Sequence, residues 1–310
     1  MYKGQVTACF HRKDDLMATG QIRKALSGYY YVEKDGQLIQ CRGRGVFRNR
    51  GESPLVGDFV EYTVDVAGSD GTIQKIFPRE NELVRPPIAN IDQAILVFSV
   101  KEPNFNTILL DRFLVVLESF HIEPVICLTK MDLLTADERE QLQPYIDDYT
   151  KIGYDVIETF IDDASLFARI EPMLANKTTV LAGQSGVGKS TLLNTLLPQL
   201  ELKTGIISQH LGRGKHTTRH VELIEVAGGL LADTPGFSSF DFDTIEREEL
   251  TSCFPELAKT AESCKFRGCL HVREPKCAVK DAVETGDIRT YRYEHYLQFL
   301  QEIIDRKPRY

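Results

Sequence analysis

The order of two motifs constrains this chain more than any other feature. Residues Gly183-Gln184-Ser185-Gly186-Val187-Gly188-Lys189-Ser190 fit the phosphate-loop pattern G-x-x-x-x-G-K-[ST] in full. An apolar stretch, Thr178-Thr179-Val180-Leu181-Ala182, runs into it, and a helical pattern, Ser190-Thr191-Leu192-Leu193-Asn194-Thr195-Leu196, runs out. That context predicts a strand–loop–helix unit whose backbone N–H groups and helix N-terminus hold a phosphate chain. Some 50 residues earlier stands Thr129-Lys130-Met131-Asp132, a base-reading pattern at the end of a second apolar run. The carboxylate of Asp132 can accept from guanine N1–H and N2–H₂, a donor pair that adenine lacks, and leaving it unpaired against adenine is costly. The Lys130 stem can pack on the base plane. Together the motifs imply a guanine nucleotide, and their inverted order implies a circularly permuted nucleotide-binding domain.

The rest of the phosphate machinery is expected downstream. Asp233-Thr234-Pro235-Gly236 follows the run Leu230-Leu231-Ala232, so Asp233 is expected to hold the hydration shell of Mg²⁺ and the Gly236 N–H to sense a γ-phosphate. Lys189 is expected on the β- and γ-phosphates and Ser190 on Mg²⁺, with Thr191 beside it in the nucleotide set. Phe237 occupies the position where many GTPases place a water-orienting glutamine, and an apolar side chain cannot orient a nucleophile. Between the two motifs, Gly212-Arg213-Gly214-Lys215-His216-Thr217-Thr218-Arg219-His220 reads as a loop rich in glycine and basic residues. There Thr217 or Thr218 can close on Mg²⁺ and His216 can position water. Lys189, His216 and Thr218 form the expected catalytic set.

Apolar runs at 94–98, 124–128 and 179–182 read as buried parallel strands. Helical patterns lie at 107–120, where Ile108, Leu109, Phe113, Val116 and Leu117 share one face, and at 136–150. Alternating strand and helix predicts a doubly wound α/β domain over residues 91–240. Upstream, short strands at 28–33, 37–41 and 58–64, with a hairpin signal at Lys34-Asp35-Gly36, predict an OB-fold β-barrel over residues 1–72. Residues 73–90, with Pro-Arg-Glu-Asn-Glu-Leu-Val-Arg-Pro-Pro at 78–87, read as a linker.

Net charge is -8, which argues against a diffusely basic nucleic-acid coat. The first 60 residues nevertheless hold ten Lys/Arg against six Asp/Glu, so they carry +4 and the remainder -12. Arg42, Arg44, Arg48 and Arg50 surround Phe47 in what reads as a nucleic-acid-facing loop. From about Ile245 onward the strand signals stop, and residues 241–310 read as a mainly helical domain. Within it Cys264, Cys269, His271 and Cys277 supply three thiolates and an imidazole, a closed four-ligand set for structural Zn²⁺. Cys9, Cys41, Cys127 and Cys253 read as scattered core thiols. The N-terminus lacks a signal-peptide pattern and no apolar run is long enough to cross a bilayer, so a cytoplasmic protein with no membrane partner is expected.

These residues resemble one family, the ribosome small subunit-dependent GTPases (the RsgA family, whose members are also called YjeQ or YloQ). The resemblance rests on Val56-Gly57-Asp58 in the barrel, TKMD before GQSGVGKS, GRGKHTTRHVEL, LADTPGF and CKFRGCLH…EPKCAVK, and it spans nearly the whole chain. It implies an OB-fold, a circularly permuted GTPase and a zinc domain in one chain, and a monomer is expected. It also implies hydrolysis of GTP to GDP and phosphate, stimulated by the small ribosomal subunit, in a late-acting assembly factor that binds rRNA. By the same resemblance His216 stands where the family's proposed catalytic histidine does, and Cys264, Cys269, His271 and Cys277 match its zinc ligands. Two positions depart from the family pattern. Thr129 replaces an asparagine and so gives up an amide contact, and Thr159-Phe160 replaces a Ser-Ala-type guanine loop after Asp155-Val156-Ile157-Glu158. On the residues alone, a phosphate-loop ATPase or small-molecule kinase and a non-catalytic RNA-binding zinc protein remain rival classes.

Overall fold

The structure, a computed structural model, describes residues 16–49, 51–64, 70–84, 86–197, 221–233, 242 and 244–306. The chain divides into two compact units, Met1–Pro78 and Arg79–Tyr310.

The first unit is a closed five-stranded barrel of β1 (Leu16–Leu26), β2 (Tyr29–Lys34), β3 (Gln37–Gly43), β4 (Phe59–Val64) and β5 (Gly71–Ile76). β1 closes it by pairing twice, its first half with β4 (Leu16↔Val64 to Gln21↔Phe59) and its second half with β2 (Gln21↔Glu33 to Leu26↔Tyr29). The strand bends between them at a register shift near Ile22, as bulges do in barrels. Asp35 and Gly36 both take positive φ, 50° and 77°, giving the tight hairpin that Lys34-Asp35-Gly36 signals. Ile22, Val32, Cys41, Val60, Tyr62 and Ile73 fill the interior. The last strand runs to Ile76. The expected arginine loop is more ordered than the sequence suggests. Arg42 lies within β3, and residues 45–49 form a short helix, α1 (Gly45–Asn49), because Phe47 turns into the core and pins the segment.

In the second unit, part of the expected linker is a small hairpin of β6 (Glu82–Val84) and β7 (Pro87–Ala89). The prolines that suggest a linker sit beside the turn, while Leu83 and Ile88 face each other and are buried. Then comes a sheet of β8 (Gln93–Ser99), β9 (Glu123–Thr129), β10 (Asp155–Glu158), β11 (Thr178–Ala182), β12 (Glu222–Val226) and β13 (Gly229–Asp233), in the order β10-β9-β8-β11-β13-β12. All neighbours are parallel except β12, which is antiparallel to β13. Every residue of β8 is buried, the pattern of a central parallel strand.

Helices α2 (Thr107–Ser119), α3 (Ala136–Ile152), α4 (Leu166–Leu174) and α5 (Lys189–Leu196) connect the strands. α2 begins where the Asn106 side chain accepts from the Leu109 N–H at 3.0 Å. Its buried face includes Leu110 and Leu114 as well as Phe113, Val116 and Leu117, whereas Ile108 and Leu109 are only half-buried. α3 opens on a capping box between Thr135 and Glu138, a device that contributes about 1 kcal/mol, and stops at Gly153, φ 120°. After residue 244 the described chain is helical: a 3₁₀ turn at Leu250–Cys253, then α6 (Pro255–Ala261), α7 (Ala278–Thr285) and α8 (Thr290–Asp305). No helix among the described residues is long and apolar enough to cross a membrane.

Candidate nucleotide site and Cys/His cluster

The phosphate loop leaves β11 at Gly183, and its shape depends on that glycine. Gly183 has φ 142°, and a Cβ there would lie 2.2 Å from the Val97 carbonyl oxygen of β8. Gly186 and Gly188 also take positive φ, 82° and 99°, so the turn around the buried Val187 uses backbone that L side chains avoid. Gln184, Ser185 and Gly186 stand exposed on the rim, and Ser190 and Thr191 are exposed on the first turn of α5. Lys189 reaches back across the loop, donating to the carbonyl of Gly183 at 2.8 Å and to that of Gln184. Burial holds its ammonium below the usual lysine range, the expected penalty on a charge taken from water.

The base-reading turn leaves β9 at Thr129. The Thr129 hydroxyl is buried and donates to the Val187 carbonyl at 2.6 Å. The threonine, which lacks the amide of an asparagine, is tied to the phosphate loop through its hydroxyl. Lys130 takes the left-handed conformation, φ 61°, and its ammonium donates to the Glu102 carbonyl. Met131 N–H donates to the Thr159 carbonyl at 3.2 Å, and its sulfur lies 3.8 Å from Arg139. Asp132 is exposed into a cavity of about 560 Å³ bounded by Lys130, Gly188, Thr191 and the 159–164 segment. Base motif, phosphate-loop glycine and helix α5 thus share one cavity wall.

Sequence reasoning reaches only as far as Thr159-Phe160, yet the whole segment that follows encloses the cavity. Thr159 N–H donates to the Leu128 carbonyl at 2.8 Å, and Ile161 N–H reaches the Asp132 carboxylate at 3.4 Å. The segment is held from inside by Asp163, which accepts from the Ser165 N–H at 3.0 Å and hydroxyl at 2.6 Å, from Thr159 Oγ1 at 3.3 Å, and from Arg169. Burial works against its ionisation, but the Ser165 hydrogen bonds and the Arg169 charge hold the carboxyl below its ordinary value. The legible signal is the Asp163-x-Ser165 spacing, an aspartate placed to bond the backbone two residues on.

Asp233 is the last residue of β13, parallel to β11, so the sheet carries it to the same strand ends as the phosphate loop. His216, Thr217, Thr218 and Gly236 lie outside the described residues.

The four expected metal ligands come together. The Sγ atoms of Cys264, Cys269 and Cys277 and a ring nitrogen of His271 lie within 4.8 Å of one another. Cys277 Sγ is 3.9 Å from Cys264, 3.8 Å from Cys269 and 3.3 Å from His271 Nδ1. A tetrahedron with Zn–S bonds of about 2.3 Å has S···S edges of about 3.8 Å, and a disulfide would need about 2.0 Å. The donor set therefore fits a closed zinc site. The backbone around it is fixed independently: Glu274 accepts from the N–H groups of Leu270, Val272 and Arg273 at 2.9, 2.9 and 3.0 Å. Tyr293 and Tyr296 of α8 donate to the carbonyls of His271 and Leu270 at 2.6 and 3.0 Å.

A phosphate loop on β11, a base-reading turn on β9 and their reversed order along the chain define a circularly permuted phosphate-loop GTPase. The chain belongs to the RsgA GTPase family: residues 76–243 match the RsgA GTPase model and residues 19–73 the RsgA N-terminal domain. It is 58% identical to the small ribosomal subunit biogenesis GTPase RsgA of Bacillus anthracis and 57% identical to that of Bacillus subtilis (strain 168), in each case over 95% of this chain and 100% of the relative. Among solved structures, YloQ, described as a circularly permuted GTPase, superposes with a TM-score of 0.81 at 50% identity, covering 99% of this chain and 100% of that one. YjeQ from Thermotoga maritima gives 0.82 at 36% identity, covering 94% and 100%.

Proposed function

We propose that this GTPase binds GTP with guanine in the cavity beside Asp132, hydrolyses it to GDP and phosphate, and acts with the small ribosomal subunit as a late maturation factor. The observation that carries the reading is the Thr129 hydroxyl joined to the phosphate loop at Val187, which puts base and phosphate recognition on one cavity. Relatives that match along their full length are named small ribosomal subunit biogenesis GTPases.

In this reading Thr129, Lys130, Met131 and Asp132 hold the base. Residues Gly183 to Thr191 hold the phosphates. Lys189 leaves the Gly183 and Gln184 carbonyls for the β- and γ-oxygens. Ser190 would supply an oxygen to Mg²⁺ and Asp233 would hold its hydration shell, with Thr218 or its neighbour Thr217 from the 212–220 segment closing on the ion, and Gly236 would sense the γ-phosphate. Bound Mg²⁺ would neutralise charge on the phosphates, and phosphoryl transfer otherwise needs little beyond positioning. Phe237 cannot orient water, so His216 fills that role.

Cys264, Cys269, His271 and Cys277 hold one structural Zn²⁺, with no position left for substrate. The functional division is a barrel over about 1–72, whose last strand runs on to Ile76, a connecting stretch over the rest of 73–90 that includes the β6–β7 hairpin, the GTPase over 91–240 and the zinc domain over 241–310. The barrel binds rRNA. The protein works as a cytoplasmic monomer.

GTP turnover measured with and without purified small subunits tests the reading. Stimulation by subunits is expected in the wild type, and His216→Ala should lower the stimulated rate by about 10²–10⁴-fold. Turnover indifferent to subunits overturns the ribosomal role, and stimulated turnover within about twofold of wild type in His216→Ala removes that residue from the mechanism.

A further inference from the structure

The wall opposite the phosphate loop is built from irregular chain, yet it must present a backbone N–H to a carboxylate at a fixed place. Residues 159–165 follow β10 with no regular hydrogen-bond ladder of their own. Phe160 and Ile161 are exposed, and Asp162 sits at φ 57°. What fixes them lies underneath: the Asp163 side chain, 2% exposed, gathers Thr159, Ser165 and Arg169. Arg169 in turn donates to the Glu158 carbonyl at 2.8 Å, so one guanidinium anchors both the end of β10 and the carboxylate below the loop. The planar fork holds these two acceptors in a fixed relation to each other.

We propose that Asp163 is a positioning residue for guanine selection, fixing through the 159–165 segment the Ile161 N–H that orients the Asp132 carboxylate. The inference rests on the reading of Asp132 as the base-reading group. A carboxylate has two oxygens and a rotatable stem, so discriminating a two-donor base from a one-donor base requires that its plane be held. Ile161 N–H, 3.4 Å from Oδ1 of Asp132, is the hydrogen bond between that carboxylate and the opposite wall, and it is long enough to be shifted easily. Replacing Asp163 by asparagine turns an amide N–H₂ toward Arg169 or toward the Ser165 donors, and either choice sets donor against donor. The loop then loses its internal anchor while Asp132 and the phosphate loop stay intact.

Inosine diphosphate is the probe, because it lacks the 2-amino group and offers Asp132 one donor where GDP offers two. Affinities of the full-length chain for GDP and inosine diphosphate are measured by displacement of a fluorescent GDP analogue. Wild type should favour GDP by about tenfold or more, the value of one charge-assisted hydrogen bond. Asp163→Asn should reduce that preference by at least about fivefold. A purely structural role would weaken both ligands equally, so an unchanged ratio in a variant of a discriminating wild type overturns the positioning role alone. A wild type that does not discriminate overturns both this proposal and the assignment of Asp132. If Asp163→Asn does not fold, Arg169→Lys carries the test: it keeps the positive charge but gives up the fork to Glu158. The ratio should then fall by about twofold or more, and an unchanged ratio again overturns the proposal.

Discussion

The Asp111 carboxylate on α2 meets the Arg292 guanidinium on α8 at 2.5 Å, with both side chains essentially inaccessible to solvent. Each group has further partners. Asp111 also accepts from Tyr149 Oη and His295 Nδ1, each at 2.6 Å, while Arg292 donates to Glu256 at 2.6 and 3.2 Å and stacks over Phe254. Burial opposes the charge on Arg292, but Asp111 and Glu256 hold its pKa well above the ordinary value. The network ties the first helix of the sheet domain to the helices around the Cys/His cluster.

Asp111→Ala should therefore be severe. It orphans three donors and leaves a buried guanidinium with half its compensation, a loss of about 3–5 kcal/mol. Urea unfolding reads it directly, and a loss below about 1 kcal/mol would mean the network carries little stability.

Gly183→Ala should disable nucleotide binding. The new Cβ meets the Val97 carbonyl oxygen, a backbone atom in the middle of the sheet, so the loop must move. Strain of about 1–3 kcal/mol translates to about 5–150-fold weaker GDP binding by titration, with the circular dichroism spectrum retained. Wild-type affinity in this variant would show that the loop has another conformation to use.

Asp132→Asn exchanges an acceptor for a donor-bearing amide, so guanine's two donors lose their partner. GTP binding should weaken by at least about 100-fold and preference should shift to xanthosine triphosphate. Undiminished GTP affinity would remove Asp132 from base recognition.

Freshly purified protein should contain close to one zinc per chain by metal analysis. Chelation should melt the region after about residue 245 while GDP binding survives, because structural zinc contributes folding energy where it binds. Cys269→Ala should do the same. A protein that purifies without metal and keeps its C-terminal helices folded would contradict both.

Neutralising Arg42, Arg44, Arg48 and Arg50 together should weaken small-subunit binding and flatten its salt dependence, by about 0.7–0.9 in log–log slope for each phosphate no longer neutralised. Arg42 already pairs with Asp70 at 3.1 Å and Arg44 donates to Gln74 at 3.1 Å, so their contribution should be smaller than four free charges would give. An unchanged slope places the RNA-binding surface elsewhere.

Strands β8, β9 and β11 are legible in the sequence to within a residue or two, because full burial writes a continuous apolar run into it. The phosphate loop and the four metal ligands are legible because their chemistry needs fixed residue types at short spacing. β1 is not: Leu16–Leu26 changes partners halfway, and its apolar alternation breaks at the bend near Ile22. The β6–β7 hairpin hides behind its prolines. Asp163 and Arg169 escape sequence reading for a different reason. The Asp163-x-Ser165 spacing marks a local turn, but that Asp163 and Arg169 also hold Thr159 and Glu158 is not written in it.

The inverted motif order also fixes a timetable of synthesis. A chain made from its N-terminus completes β8, β9 and β10 with α2 and α3 before residue 178 exists, so the base-reading half can assemble first. One edge of β8 then stands open, since its partner there is β11, paired Val180 to Ala94. An apolar strand with an unpaired edge invites wrong partners. The nascent protein passes through a stage at which it has the turn that carries Asp132 but not the phosphate loop, and nucleotide can stabilise the fold only after β11 has closed that edge.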